Sequence, residues 1–168
     1  MWDVCTGSGC VAIAVARQVE EVSVLATDIC TEALAVAEAN ALAHGVQNRV
    51  CVRQADLLEL PGDVGGAGQF EVITANPPYV ATGDTVAPEV AYEPAKALMA
   101  GEDGMDFIRP IVASAGEFIT PGGMLAMEFG RGQADDVRNL IAASGCFGEP
   151  RMTRDYQGIE RIAAAVRR

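Results

Sequence analysis

"DVCTGSGCVAIAVA", Asp3 to Ala16, decides the fold. Trp2 to Cys5 reads as a short apolar strand, and Thr6-Gly7-Ser8-Gly9 as a tight turn. Cys10 to Val19 reads as a helix whose small residues suit close packing on a sheet. A strand that turns on glycines into a helix is the opening of a βαβ unit. The alternation continues downstream. Val22–Thr27 is expected as the second strand, Thr31–His44 as a helix with Thr31 as its cap and Gly45 at its end, and Arg49–Arg53 as the third strand.

A polar, glycine-rich stretch, "PGDVGGAGQ", leads to a fourth strand over Phe70–Ala75. A long irregular section then runs to about Asp103, too long for a plain connector and therefore expected to carry function. A helix from about Gly104 to Ile119, a strand over Gly123–Phe129 and a helix over Gln133–Ser144 follow. Two short strands around "YQG", within Arg151–Val166, close the pattern as an antiparallel hairpin. The expectation is an α/β domain, doubly wound on a mostly parallel sheet of seven strands, spanning residues 1–168 as one unit. In such sheets ligands sit beyond the carboxyl ends of the strands. Asp28, Asp56 and Asn76 each fall at such an end, and the glycine turn follows the first strand.

"GSGCVA" (Gly7–Ala12) fits the dinucleotide pattern G-x-G-x-x-G/A, with Asp28 about 20 residues on to accept hydrogen bonds from a ribose diol. NAD and S-adenosylmethionine present the same diol, so the turn alone leaves both open. "NPPY", Asn76 to Tyr79, separates them. The lone pair of a planar NH2 group is delocalised, and methylating it calls for two acceptors that hold both N–H bonds. The side-chain oxygen of Asn76 can be one. The carbonyl of Pro77 can be the other, fixed in direction because Pro78 restricts Pro77 to an extended conformation. Tyr79 offers a flat face for the substrate group. A plain turn at NPPY, a capping role for Asp56 and a surface charge at Glu93 are the readings without chemistry.

Composition narrows the function classes. The net charge of −11 counts against non-specific nucleic-acid binding, which needs Lys and Arg on phosphates. Five cysteines without a CxxC pair and a single histidine, His44, give metal chemistry and histidine acid/base chemistry little to work with. No apolar run reaches the roughly 20 residues of a membrane span, and the first residues lack the stretches of a signal peptide. A cytoplasmic protein is expected.

On these stretches the chain resembles the release-factor glutamine methyltransferases, which are class I S-adenosylmethionine enzymes. The likeness runs through "DVCTGSGCVAIAVA", "ATDICTEALAVAEANA", "ANPPYV", "YEPAKALMAGEDGMDFIRPI", "PGGMLAMEFGRGQ" and "RDYQGIERIAAA", and so covers nearly the whole chain. It implies a Rossmann-like methyltransferase sheet and methylation of the glutamine side-chain amide in a Gly-Gly-Gln tripeptide of peptide-chain release factors. By resemblance, Cys5, Thr6, Gly7, Ser8 and Gly9 wrap the methionine part of the cofactor, and Asp28 with Ile29 binds its ribose side. Asp56 and Leu57 flank the adenine, while Asn76, Pro77, Pro78 and Tyr79 hold the glutamine amide. Glu93 and Pro94 shape the substrate side.

The family usually carries glycine where this chain has Cys5, and a helical domain ahead of the first strand, which here begins at Trp2. The resemblance is therefore to a catalytic domain alone, for which a second copy or a covering partner would compensate. An adenine-N6 nucleic-acid methyltransferase and a cofactor-binding domain without efficient substrate docking are the alternatives.

Overall fold

A computed structural model describes residues 1–64, 69–84 and 97–168. Its elements in chain order are β1 (Trp2–Val4), α1 (Cys10–Gln18), β2 (Val24–Asp28), α2 (Thr31–Ala43), β3 (Val50–Gln54) and β4 (Phe70–Ala75), then α3 (Ile108–Phe118), β5 (Ile119–Glu128), α4 (Ala134–Ala143), β6 (Arg151–Arg154) and β7 (Glu160–Val166). The strands form one sheet in the order β3-β2-β1-β4-β5-β7-β6. The first five are mutually parallel, and β7 runs antiparallel to both of its neighbours. The doubly wound sheet and its antiparallel C-terminal hairpin are as the sequence suggests.

Both faces of the sheet are covered, as parallel sheets require. On one face Ala12, Ile13 and Ala16 of α1 and Leu34, Ala37 and Ala41 of α2 pack on Val24, Ala26, Val50 and Val52. Alanine dominates these helix faces because a small side chain brings helix backbone close to strand backbone. On the other face Ile108, Ile111, Val112 and Ala115 of α3 and Val137 and Ile141 of α4 pack around Trp2, Ile73, Leu125, Met127 and Phe129. Trp2 sits between the rings of Phe70 and Phe118, and its indole N–H donates to Thr27 Oγ1 at 2.8 Å. A buried tryptophan is tolerated here because its one polar atom is satisfied.

Several boundaries differ from expectation. Thr31 does not cap α2: Cys30 holds the cap position in an extended conformation, and the Thr31 hydroxyl bonds Glu32 instead. Gly45 does end that helix, at φ 68°, with its N–H on the Leu42 carbonyl and the Val46 N–H on that of Ala41. That pair of bonds is the Schellman arrangement, which satisfies the last carbonyls of a helix. The α3 helix begins at Ile108, not near Gly104, because Gly104 has φ 73° and belongs to a turn. Strand β5 begins at Ile119, ahead of Pro121-Gly122-Gly123. A register shift between Phe70 and Val72 absorbs those residues, and Gly122 and Gly123 continue the ladder by bonding Arg167.

Candidate active site

Strand register places the candidate residues. Val4 pairs with Thr27 on one side and with Ala75 on the other. The next residue of each strand, Cys5, Asp28 and Asn76, therefore emerges at the same level, at the carboxyl edge of three adjacent strands. Asp28 in turn pairs with Gln54 of β3, so Asp56 lies two residues beyond the same edge. The chain moves outward from β1 to β2 and β3, then restarts on the other side with β4 and β5. This reversal between β1 and β4 is where open α/β sheets bind ligands.

The glycine loop is held from several directions. Thr6 donates its N–H to the Thr27 carbonyl, and Gly9 its N–H to the Thr6 carbonyl, both at 2.9 Å. Asp28 accepts from the Gly7 N–H through one carboxylate oxygen and from the Cys30 N–H through the other, each at 2.9 Å. Those bonds aim the carboxylate and leave lone pairs for a ribose diol. The Asn40 side chain of α2 donates to the Ser8 carbonyl at 2.9 Å. Gly9 has φ 83°, and a Cβ there would lie 3.0 Å from Ile13 Cδ1 and 3.2 Å from Ala37 Cβ, so only glycine lets the loop seat on both helices. A Cβ on Gly7 would meet nothing within 4 Å, which leaves open room over the loop for a ligand. Beside it, Ile29 exposes 62% of its surface at the strand edge while the Gln54 side chain pins its carbonyl at 3.0 Å.

Asp3 belongs to this site, and the sequence reading missed it. It lies in β1, is only 3% exposed, and accepts hydrogen bonds from three parts of the chain. Thr6 Oγ1 of the loop donates at 2.6 Å, Ala12 N of α1 at 3.3 Å and Thr74 Oγ1 of β4 at 2.5 Å. Burial pushes its acid above the ordinary carboxylate value, against the three hydrogen bonds that favour the ionised form. One carboxylate thus fastens the glycine loop to α1 and to the strand that leads into NPPY. An acidic residue inside an otherwise fully buried three-residue strand was the available signal.

Cys5 occupies the left-handed region at φ 55°, which costs a side-chain-bearing residue roughly 1–2 kcal/mol. Glycine would adopt this angle without that cost. Burial, with the nearby carboxylates of Asp28, Asp3 and Asp56, raises the Cys5 thiol to about 12. At pH 8 its thiolate fraction is on the order of 10⁻⁴, and the thiolate is the reactive form. A short iodoacetamide pulse followed by peptide mapping is therefore expected to label exposed Cys10, Cys30, Cys51 and Cys146 well before Cys5. Early labelling of Cys5 would contradict its burial among carboxylates.

The NPPY segment leaves β4 with Asn76 exposed at the strand edge, Pro77 buried and Tyr79 half-buried. The Tyr79 hydroxyl bonds Glu128 Oε1 at the end of β5, at 3.0 Å. After it, Val80 forms a parallel bridge with Met99, fixed by Val80 N–H to the Leu98 carbonyl and Ala100 N–H to the Val80 carbonyl, both at 2.8 Å. Both flanks of the long irregular section are therefore stitched to the clamp. Glu93 and Pro94, expected on the substrate side, lie outside the described residues.

Asp56 lies close enough to Cys5 to raise its thiol, and Leu57 packs against the same core cluster as Cys5. Asp56 and Leu57 line a cleft of about 300 Å³ against Pro110, Ser114 and Phe118 of α3. A larger cleft of about 880 Å³ lies at the amino ends of the strands, by Met1, Ser23, Arg49 and Gln69, away from the candidate site. Among the described residues no cluster of His, Cys, Asp and Glu could hold a metal ion, and no helix is long and apolar enough to cross a membrane.

Comparison with known proteins agrees with this geometry. The chain is 35% identical over 168 residues to a release factor glutamine methyltransferase of Clostridium acetobutylicum, an alignment that takes in 98% of this chain and 58% of that protein. It is 40% identical over 166 residues to the release factor glutamine methyltransferase of Geobacter sulfurreducens, covering 95% of this chain and 55% of that one. The chain thus spans a little over half the length of these relatives. The fold is that of a solved methyltransferase from Pyrococcus furiosus, with a TM-score of 0.71 at 16% identity over 98% of this chain and 73% of the other. The profile of the methyltransferase small domain matches residues 1–102, which hold the glycine loop, Asp28 and NPPY, and the chain belongs to that family.

Proposed function

We infer that the chain transfers a methyl group from S-adenosylmethionine to the side-chain amide of a glutamine, and that the glutamine lies in the Gly-Gly-Gln tripeptide of a release factor. The observation that carries this reading is the common level of Cys5, Asp28 and Asn76 at the switch point, with NPPY directly beside the glycine loop. The donor set fits the cofactor: Gly7 leaves space over the loop, Asp28 presents a carboxylate aimed by two backbone N–H groups, and Ile29 offers an exposed apolar side chain. Bound S-adenosylmethionine supplies an electrophilic methyl on a sulfonium.

The protein's part is orientation. Asn76 Oδ1 and the Pro77 carbonyl each accept one N–H of the glutamine amide, which favours a nitrogen lone pair directed at the methyl. With S-adenosylmethionine held over the glycine loop and by Asp28, positive charge would develop on the amide nitrogen as it takes up the methyl. The two acceptors stabilise that charge where it develops, and the proton leaves to water. No general base is needed before transfer. Asp56 and Leu57 close the adenine side, and a substrate-binding role is proposed for Glu93 and Pro94. The names of the relatives at 35% and 40% identity support a release factor as the substrate. Residues 1–168 act as a single catalytic domain.

The deciding experiment is the mass of a release-factor peptide carrying Gly-Gly-Gln after incubation with this protein and S-adenosylmethionine, with an adenine-containing DNA duplex in parallel. A gain of one methyl on the glutamine supports the reading. Methyl on adenine would replace it, and cofactor binding without transfer to either would reduce the chain to a binding domain.

A further inference from the structure

Gln133 was read from the sequence only as the start of a helix, yet its side chain joins three backbone segments remote in the chain. Its Oε1 accepts the Gly130 N–H at 2.7 Å, just beyond the end of β5. Its Nε2 donates to the Tyr79 carbonyl at 3.0 Å and to the Asp103 carbonyl at 3.2 Å. An amide nitrogen has two hydrogens, and both are used here.

Two glycines crowd onto the same point. A Cβ on Gly104 would lie 2.3 Å from the Tyr79 carbonyl oxygen and 2.4 Å from Gln133 Nε2. A Cβ on Gly130 would lie 2.9 Å from Gln133 Oε1 and 3.2 Å from Tyr79 Cδ2. The surroundings are shaped to admit this amide and little else.

We propose that Gln133 is a positioning residue for methyl transfer, fixing the carbonyl end of the Asn-Pro-Pro-Tyr clamp to β5 and to the 101–104 turn. This rests on the functional reading above and adds to it a residue outside the motif. Pro77 and Pro78 stiffen the clamp internally, but stiffness alone does not fix where it points. Tyr79 supplies two handles for that. Its hydroxyl is held by Glu128 and its carbonyl by Gln133, so the clamp is tethered at both ends of one residue to the segment around 128–133. Gln133 acts on where Asn76 and Pro77 present their acceptors.

Three variants test it. Gln133→Glu keeps the shape and the acceptor for Gly130 but cannot donate when ionised, and Gln133→Met keeps length and removes all polarity. Gly130→Ala leaves Gln133 in place and pushes on its oxygen. Each is expected to lower kcat of the folded protein for the Gly-Gly-Gln peptide on the order of 100-fold, the scale of an ångström's misplacement, while S-adenosylmethionine affinity stays at its wild-type value, whatever the change in melting temperature. A purely structural role would instead lower the melting temperature and leave kcat of the folded fraction intact.

The ¹³C shift of the Tyr79 carbonyl, read in the labelled 168-residue chain, gives a measure independent of activity, and it should move in Gln133→Met. An unmoved shift overturns the tether, and a moved shift with undiminished kcat overturns the positioning role. Should the wild type methylate nothing, the function reading falls while the carbonyl shift still decides whether Gln133 holds the clamp.

Discussion

Asn76→Ala is expected to cut methyl transfer by roughly 100–1,000-fold, about 2.7–4 kcal/mol of transition-state stabilisation, the scale seen when one preorganised polar group facing developing charge is removed. Asn76 is exposed at the carboxyl edge of β4, so its loss leaves the sheet and both cores in place. The glycine loop and Asp28, proposed to hold the cofactor, lie on the neighbouring strands and are unaffected by this change. Radiolabelled methyl transfer to the Gly-Gly-Gln peptide, measured beside calorimetric titration of S-adenosylmethionine, separates the two effects. Normal turnover in this variant would rule out the side-chain amide as an acceptor in transfer.

Asp3→Ala should have the largest effect on stability. It strips acceptors from the hydroxyls of Thr6 and Thr74 and from the Ala12 N–H, around a carboxylate that is almost wholly buried. Each buried donor left unpaired costs roughly 1–3 kcal/mol. Removing a charge whose burial is itself unfavourable offsets part of this. The net expectation is about 3 kcal/mol, which lowers the melting temperature by roughly 6–12 °C for a chain of this length.

Asp3→Asn should be far milder. Its amide oxygen can serve Thr6 and Ala12, and the Thr74 hydroxyl can rotate from donor to acceptor. The asparagine should also flatten the pH dependence. The native state holds the Asp3 proton more tightly than the unfolded chain does, so the stability of the protonated form is lost as pH rises from the ordinary carboxylate value through the raised one. Thermal melts of the wild type and both variants between pH 4 and 8 would check this, with equal melting temperatures for alanine and wild type as the contrary result.

The sheet was legible because its signals are local. Alternation of strand and helix, a glycine turn and the NPPY break each sit within a few residues of the feature they produce. Capping and register were harder. Thr31 looked like a cap by residue type, but Cys30 has the extended conformation that a cap position needs. The strand was expected from Gly123, but a bulge against β4 lets it run from Ile119.

The site divided along the same line. Asp3 and Gln133 sit inside quoted stretches, but their roles come from partners 71 and 54 positions away, which no spacing rule can reach. Cys5 was noticed for its side chain, although the constraint at that position is its backbone angle.

Strand β7 pairs with β5 on one side and β6 on the other, yet it follows both in the chain. During synthesis Met124–Glu128 must therefore wait for Ile162–Val166 before their outer row of N–H and C=O groups finds its partners. For about thirty-five residues of elongation, the time it takes the ribosome to add them at roughly 5–20 residues per second, the nascent protein carries an unsealed sheet edge of methionine, leucine and alanine. Such an edge is a template for strands of other chains. The hairpin is thus the closing seam of the domain, and a premature stop within it would leave an almost complete sheet that is sticky along one side.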